Sequence, residues 1–393
     1  MYIKNNLQMK ILIIFLLPIL VLLFGCKVED EYYSYFNAEN ISEKEILISE
    51  LQLEAVVLDS VESSHVGLIS IEQDSIFFID QVLCEVFSFD INGTFHSKHL
   101  GKGRGPGEYS GGKIQAYCKL PGGSRFFLDG TLNKNIFDEN WQRIEQFRTS
   151  WRRDHLDPVN PDPTDPYLYS HEWEKLIIRP FSENEILIPI YSEHKNFNVF
   201  IDGYYQEGRI FYVFDIKSQD FVNLLGRRSP EYLNYKYIPH HSFFSYDIDS
   251  EGNFYISHEI DSLIYVYDSD FNPLYTFGIS GSDMDTDYQE VPRRDIKKMR
   301  ELYFEDRPLR GWYNEVEYFE ETEILFRSYK KSGDSPYDGL QIYHKNVLIG
   351  DIDVPEDFVV KGYIEPYYYS SADIDVEKGE IKIYRFKLPD LND

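Results

Sequence analysis

Residues 75–101 read SIFFIDQVLCEVFSFDINGTFHSKHLG. Ser75 to Asp80 and Val86 to Asp90 are short runs of Ile, Val and Phe, Asn92-Gly93 marks a tight hairpin, and a third run ends at Gly101. Runs of this kind, bounded by Gly, Asp and Asn, read as strands. The same order returns in Gly252-Asn253-Phe254-Tyr255-Ile256-Ser257, then Ile264-Tyr265-Val266-Tyr267-Asp268, then Phe277-Gly278. The second-strand signature also recurs at Lys134 to Asp138 and Phe211 to Asp215, and more weakly at Gln341 to His344 and Lys382 to Arg385. Six units result, unevenly spaced, with large insertions in the third and fifth. Helical periodicity is nearly absent, and the 16% aromatic content, with 32 Tyr and 28 Phe, suits pleated surfaces.

Six antiparallel sheets without crossover helices predict an all-β fold, a six-bladed β-propeller of four-stranded blades over 49–393. A pair of β-sandwiches would not repeat one unit six times. Leu51 to Leu58, LQLEAVVL, is expected to close the ring by joining the last blade. One helix, Arg293 to Tyr303, is expected on a face, and the Pro/Asp-rich Asp157 to Pro166 is expected to stay out of the ladders, since proline lacks a donor.

The amino terminus, MYIKNNLQMKILIIFLLPILVLLFGC, has lysines ahead of an apolar run, Ile11 to Phe24, that ends at Gly25-Cys26. This is the layout of a signal peptide over 1–25. The run is shorter than the roughly 20 apolar residues of a membrane-spanning helix. Leu23-Phe24-Gly25-Cys26 resembles a bacterial lipobox, which implies lipidation of Cys26, with 26–48 as an acidic tether. Lys27-Val28-Glu29-Asp30-Glu31 resembles the signal that sends lipoproteins of Bacteroidota to the outer face of the outer membrane. The resemblance implies a lipid-anchored envelope protein.

The chain carries 39 basic and 67 acidic residues, a net charge of −28; losing Lys4 and Lys10 with the signal gives 37 − 67 = −30. That charge excludes nucleic acid as a partner and assigns membrane attachment to lipid instead of a basic face. Beyond Cys26 only Cys84 and Cys118 remain, and two cysteines leave a disulfide open.

Gly101 to Tyr109, GKGRGPGEY, invites a phosphate-binding reading. Glycines spaced by two fail G-x-G-x-x-G, and Ile114 stands where a P-loop needs a hydroxyl. Gly226-Arg227-Arg228-Ser229-Pro230-Glu231-Tyr232 matches Gly103 to Tyr109 in length and in both ends. A repeated turn belongs to the repeat. Both are read as paths from a third strand into the next blade, with glycine supplying positive φ and proline fixing the exit. Arg104, Glu108 and Arg227 remain candidate ligand-binding residues on such turns. The signal, the six-fold unit and this turn together resemble the six-bladed β-propeller lipoproteins of Bacteroidota, related in shape to NHL-repeat and TolB-like propellers.

No G-x-S-x-G elbow, H-E-x-x-H or EF-hand loop is present, and no catalytic set or cofactor is read. His240-His241 is a further candidate pair. On a strand the two rings would face opposite ways; in a loop they could converge, but the sequence locates no third metal ligand. Two hypotheses follow. One is a non-catalytic propeller that binds a glycan, a peptide or an envelope protein through its loop face or central funnel. The other is an envelope lyase or hydrolase with such residues in the funnel. An enzyme should show a convergent, partly buried titratable group there, and a binding module exposed aromatics around the rim.

Overall fold

The structure, a computed structural model, describes residues 32–149 and 153–391. The expected signal segment, Cys26 and the Lys27 to Glu31 motif lie outside the described residues. Among those described, no helix is long and apolar enough to cross a membrane.

Six antiparallel sheets form a ring. Blade one is Gly67–Glu72, Ser75–Asp80, Glu85–Asp90 and Phe95–Leu100. Blade two is Ile114–Lys119, Arg125–Asp129, Asn133–Phe137 and Arg143–Arg148. In blade three the innermost edge is split into Ser170–His171 and Arg179–Pro180, both paired to Glu185–Tyr191, followed by Phe211–Asp215 and Asp220–Leu225. Blade four is Phe244–Ile248, Phe254–His258, Ile264–Tyr267 and Pro273–Phe277. Blade five is Trp312–Phe319, Ile324–Lys330, Asp338–His344 and Val347–Val354. Blade six takes Val360–Ile364, Tyr367–Asp375 and Glu380–Phe386 from the end of the chain and Glu54–Val57 from its beginning.

All six signature runs read from the sequence are the third strands of their blades. An innermost strand precedes the runs of each unit, so the repeated Gly-Arg turns leave a fourth strand and not a third. The expected closure is present: Glu54–Val57 pairs antiparallel with Glu380–Phe386, Val56 opposite Ile383, and Arg385 grips Glu54 at 2.6 and 2.9 Å. Within 26–48, Glu39–Asn40 runs parallel to the outer strand of blade four and Glu43–Ile48 parallel to that of blade five. These pairings cover two sheet edges that would otherwise offer unpaired backbone groups.

Each gap between neighbouring blades holds its own apolar cluster. Phe126, Leu128, Ile186 and Ile188 fill the gap between blades two and three, while Leu187 and Val213 point the other way, toward Tyr246 and Ile256 of blade four. Both faces of the strands are therefore buried, which is why they read as unbroken apolar runs. The remaining gaps are filled in the same way, the last by Val56, Ile76, Phe87 and Ile383 between blades six and one.

The insertions gather at one end of the ring, where the turns between second and third strands and the connections between blades both lie. They comprise 153–169, the excursion 192–210, 226–243 and 279–311. The last contains the expected helix, observed as Ile296–Glu305, which starts later than read because Asp295 caps it by accepting from the Lys298 amide. Asp157 to Pro166 lies outside every ladder, as expected. Cys84 and Cys118 are buried and unpaired.

Candidate functional site

The innermost strands converge on a central channel whose cavity measures about 430 Å³, within the range of small-molecule sites. Blade six leaves part of its wall open. Val360–Ile364 is short and pairs only as far as Ser370, so Ser371, Ala372 and Ile374 of the second strand face the cavity directly. Ile69, Ile71 and Ala116 give it apolar walls.

Ion pairs cross the channel between blades. Arg179 Nη2 meets Glu317 Oε2 at 2.7 Å and its Nε meets Asp247 Oδ1 at 3.1 Å. Lys361 contacts Glu315 and lies 3.4 Å from Glu317. Lys175 donates to the Asn314 carbonyl, and Lys119 lies 3.2 Å from Glu72, which also accepts from Tyr117. The charges are unequally exposed. The Arg179, Lys361 and Lys119 side chains keep 21, 24 and 33% of their surface, whereas Asp247, Glu315, Glu317 and Glu72 keep 9, 10, 11 and 6%. The cavity itself is lined by those three cations and one acid, Glu317. On a chain of net charge −28 the cavity surface thus presents mainly cationic groups, each paired with a more buried acid behind it.

Burial pushes the Glu317 carboxyl well above the usual carboxylate range, although Arg179 and Lys361 pull the other way. Glu315 is also buried, but the closer Lys361 ammonium outweighs burial and holds it low. Burial works against the Lys361 charge, yet the two carboxylates raise its proton affinity.

The residues named from sequence lie elsewhere, and none lines this cavity. Arg104 and Glu108 are exposed on the connection from blade one to blade two. Arg143 clamps that turn through the carbonyls of Arg104 (2.9 Å) and Glu108 (3.3 Å), and Glu108 Oε2 accepts from the Gly105 amide at 2.7 Å. Tyr109 anchors it, buried against Phe127 and Phe137. Of its four glycines only Gly101 has a left-handed φ, +119°. At Gly103 a Cβ would meet only the Glu108 carboxylate, the far end of an exposed side chain. The positive-φ reading therefore holds for Gly101 and for Gly226 (φ +71°), but not for the other three. Arg227, half-buried on the matching connection from blade three to blade four, donates to the Gln206 carbonyl and lies over Tyr35.

His240 and His241 end the short 3₁₀ helix Pro239–His241 on that same connection and are 1 and 0% exposed. The two rings approach to 4.7 Å between centroids, beside Asp306 and the Arg307–Glu259 pair (2.6 and 3.0 Å).

Sequence reasoning missed the channel residues. A usable signal was Glu315-x-Glu317 in a strand whose other residues, Asn314 apart, are apolar or aromatic, where a period of two puts both carboxylates on one face. Arg179, Lys119 and Lys361 carry no comparable motif.

Fold and channel define this chain as a six-bladed β-propeller with a charged central cavity. A member of the DUF4221 family from Bacteroides vulgatus is similar, with a TM-score of 0.61 at 10% identity over 86% of this chain and 98% of that one. A protein named as exported from Bacteroides fragilis is also similar, with a TM-score of 0.54 at 15% identity over 89% of this chain and 99% of that one. At such identities the likeness shows the fold. No family model and no curated protein matches the sequence.

Proposed function

We propose that this protein is a lipid-anchored binding propeller of the cell envelope, held at the outer membrane through Cys26, whose central channel takes a small anionic molecule with an apolar body. One observation carries this reading. Three cations, each more exposed than its acidic partner, converge on a cavity of about 430 Å³ with apolar walls, in a chain whose net charge is −28. Charge-assisted hydrogen bonds to a carboxylate, sulfate or phosphate are the strong kind, and a low-dielectric wall strengthens them. An acidic sugar or the acidic terminus of a peptide presents such a group. The exported neighbour from Bacteroides fragilis is consistent with an envelope location.

The test is titration calorimetry with matched small aromatic acids, their amides and their amines. The acids should bind most tightly, more weakly as salt rises, and Lys119→Gln should lose about tenfold in affinity, the equivalent of roughly 1.4 kcal/mol. Preference for amides or amines, or acid binding untouched by Lys119→Gln and Lys361→Gln together, refutes the reading.

A second reading, turnover of the bound molecule, has one observation in its favour: the buried Glu317 carboxyl with its raised proton affinity, facing Arg179, is the kind of group that serves as a general acid. Of the residues that line the cavity one is aromatic, the half-buried Tyr117, while Trp173 and Phe304 are exposed on the insertions. Product formation in the same incubations, abolished by Glu317→Gln with binding retained, would establish the enzyme.

A further inference from the structure

We propose that His240, His241 and Asp306 form a zinc site that fastens the insertion between blades four and five to the connection entering blade four. The three residues come from separate pieces of backbone. The histidines end the 3₁₀ helix Pro239–His241, and Asp306 follows the helix Ile296–Glu305. Successive residues of a 3₁₀ helix point about 120° apart, not opposite as on a strand, so neighbouring rings can serve one centre. One donor atom from each residue falls within a common 4.8 Å. His240 Nε2 is 3.5 Å from Asp306 Oδ2, close to the edge of a tetrahedron built on bonds of about 2.0–2.1 Å.

A second observation is independent of this spacing. His240 Nδ1 and His241 Nε2 are buried and have no hydrogen-bond partner among the described residues, and His240 Nε2 makes only the 3.5 Å contact with Asp306. Leaving a buried polar atom unpaired is costly, and native structures rarely do so without a reason such as a bound ion. Two imidazoles and one carboxylate suit zinc; calcium and magnesium take sets of oxygens.

The surrounding charges allow a dication. Glu259 neutralises Arg307 at 2.6 and 3.0 Å, and Arg310 is shared between Asp306 and Asp285. Arg307 Nη1 also lies 3.3 Å from His241 Nδ1. Zinc on Nε2 would make Nδ1 a donor, so this long contact would be given up. Arg307 keeps its shorter bonds to Glu259 and to the His240 carbonyl (2.6 Å).

The experiment is to load the purified, tag-free protein with one equivalent of zinc, dialyse it, and measure bound metal by mass spectrometry and the melting temperature with and without chelator. About one zinc per chain should remain, and chelator should lower the melting temperature by several degrees. Asp306→Asn and His240→Asn should each lose the metal and the chelator effect, and cobalt in place of zinc should give four-coordinate visible bands in the parent only. Should a variant unfold, the cobalt spectrum of the parent still decides. No retained metal, no four-coordinate spectrum, or retention unchanged in both folded variants would overturn the proposal.

Discussion

His258 is closed off among Tyr232, Phe244 and Tyr265, with the charges of Arg228 and Arg327 acting on it. Burial, helped by those two cations, pulls its imidazole down to about 3 from an ordinary 6.5. Between these values the unfolded chain binds a proton that the folded one refuses. Its contribution is thus intact above pH 6.5 and is lost as the pH falls toward 3. His258→Phe should flatten the dependence of unfolding free energy on pH by about 1.4 kcal/mol per pH unit between pH 5.5 and 3.5. Denaturant titrations at several pH values would show it, and an unchanged slope would contradict the burial argument. Gly226 gives a second test at this scale, because a Cβ there would meet Ile210 and Phe271 in a left-handed backbone. Gly226→Ala should cost about 1–3 kcal/mol, whereas Gly107, where a Cβ would make only ordinary contacts with Gln142 and Trp141 and φ is not positive, should tolerate alanine. The sequence displayed these glycines as one motif, since spacing cannot tell a glycine needed for its φ from one in ordinary backbone.

At the scale of single elements, the strand signature ends in Asp for a reason. Asp90, Asp138 and Asp268 each use Oδ1 to accept two amides of the following hairpin, from Asn92 and Thr94, Asn140 and Gln142, and Asp270 and Asn272. Such side-chain turns mimic backbone turns. A bulge precedes the hairpin in blades one to five, after Ser88, Ile136, Val213, Val266 and Ile342. Blade five closes instead through Lys345 and Asn346, both at positive φ (50° and 70°), and blade six has no hairpin there because its partner strand comes from the chain's beginning. These two blades are the ones whose signature was faint. Asp268→Ala should cost about 1 kcal/mol and Asp90→Ala similarly, while His344→Ala should cost little; thermal melts of the three variants check the contrast. The innermost strands were hard to read because the channel makes them mixed in polarity, as in Trp312–Phe319 with its two glutamates.

For the molecule as a whole, the ring is stable only when closed. Without Glu54–Val57 the blade-six edge Glu380–Phe386 is open, and Val56 is missing from the cluster between blades six and one. Val56→Asp places an unpaired charge in that cluster and should destabilise by about 3–5 kcal/mol. A chain beginning at residue 60 should aggregate or fail to melt cooperatively, and either wild-type stability or a monomeric cooperative melt of that truncation would contradict closure. Ring architecture was legible because repetition and the closing strand leave marks along the chain. The channel chemistry was not, because Arg179, Glu317 and Lys361 lie far apart in sequence and meet only once the circle is complete.

Tyr32 is buried against the body and donates to the Arg228 carbonyl at 3.3 Å, while Phe36 packs edge-on to Tyr265. It lies six residues past Cys26, a distance that a fully stretched chain spans in about 20 Å. If Cys26 carries the lipid, the propeller is moored on a short line at the rim between blades three and four. A net charge of −30 on the mature chain would hold that line taut against an anionic leaflet. A propeller so moored would sample only what reaches the first few nanometres above its own bilayer.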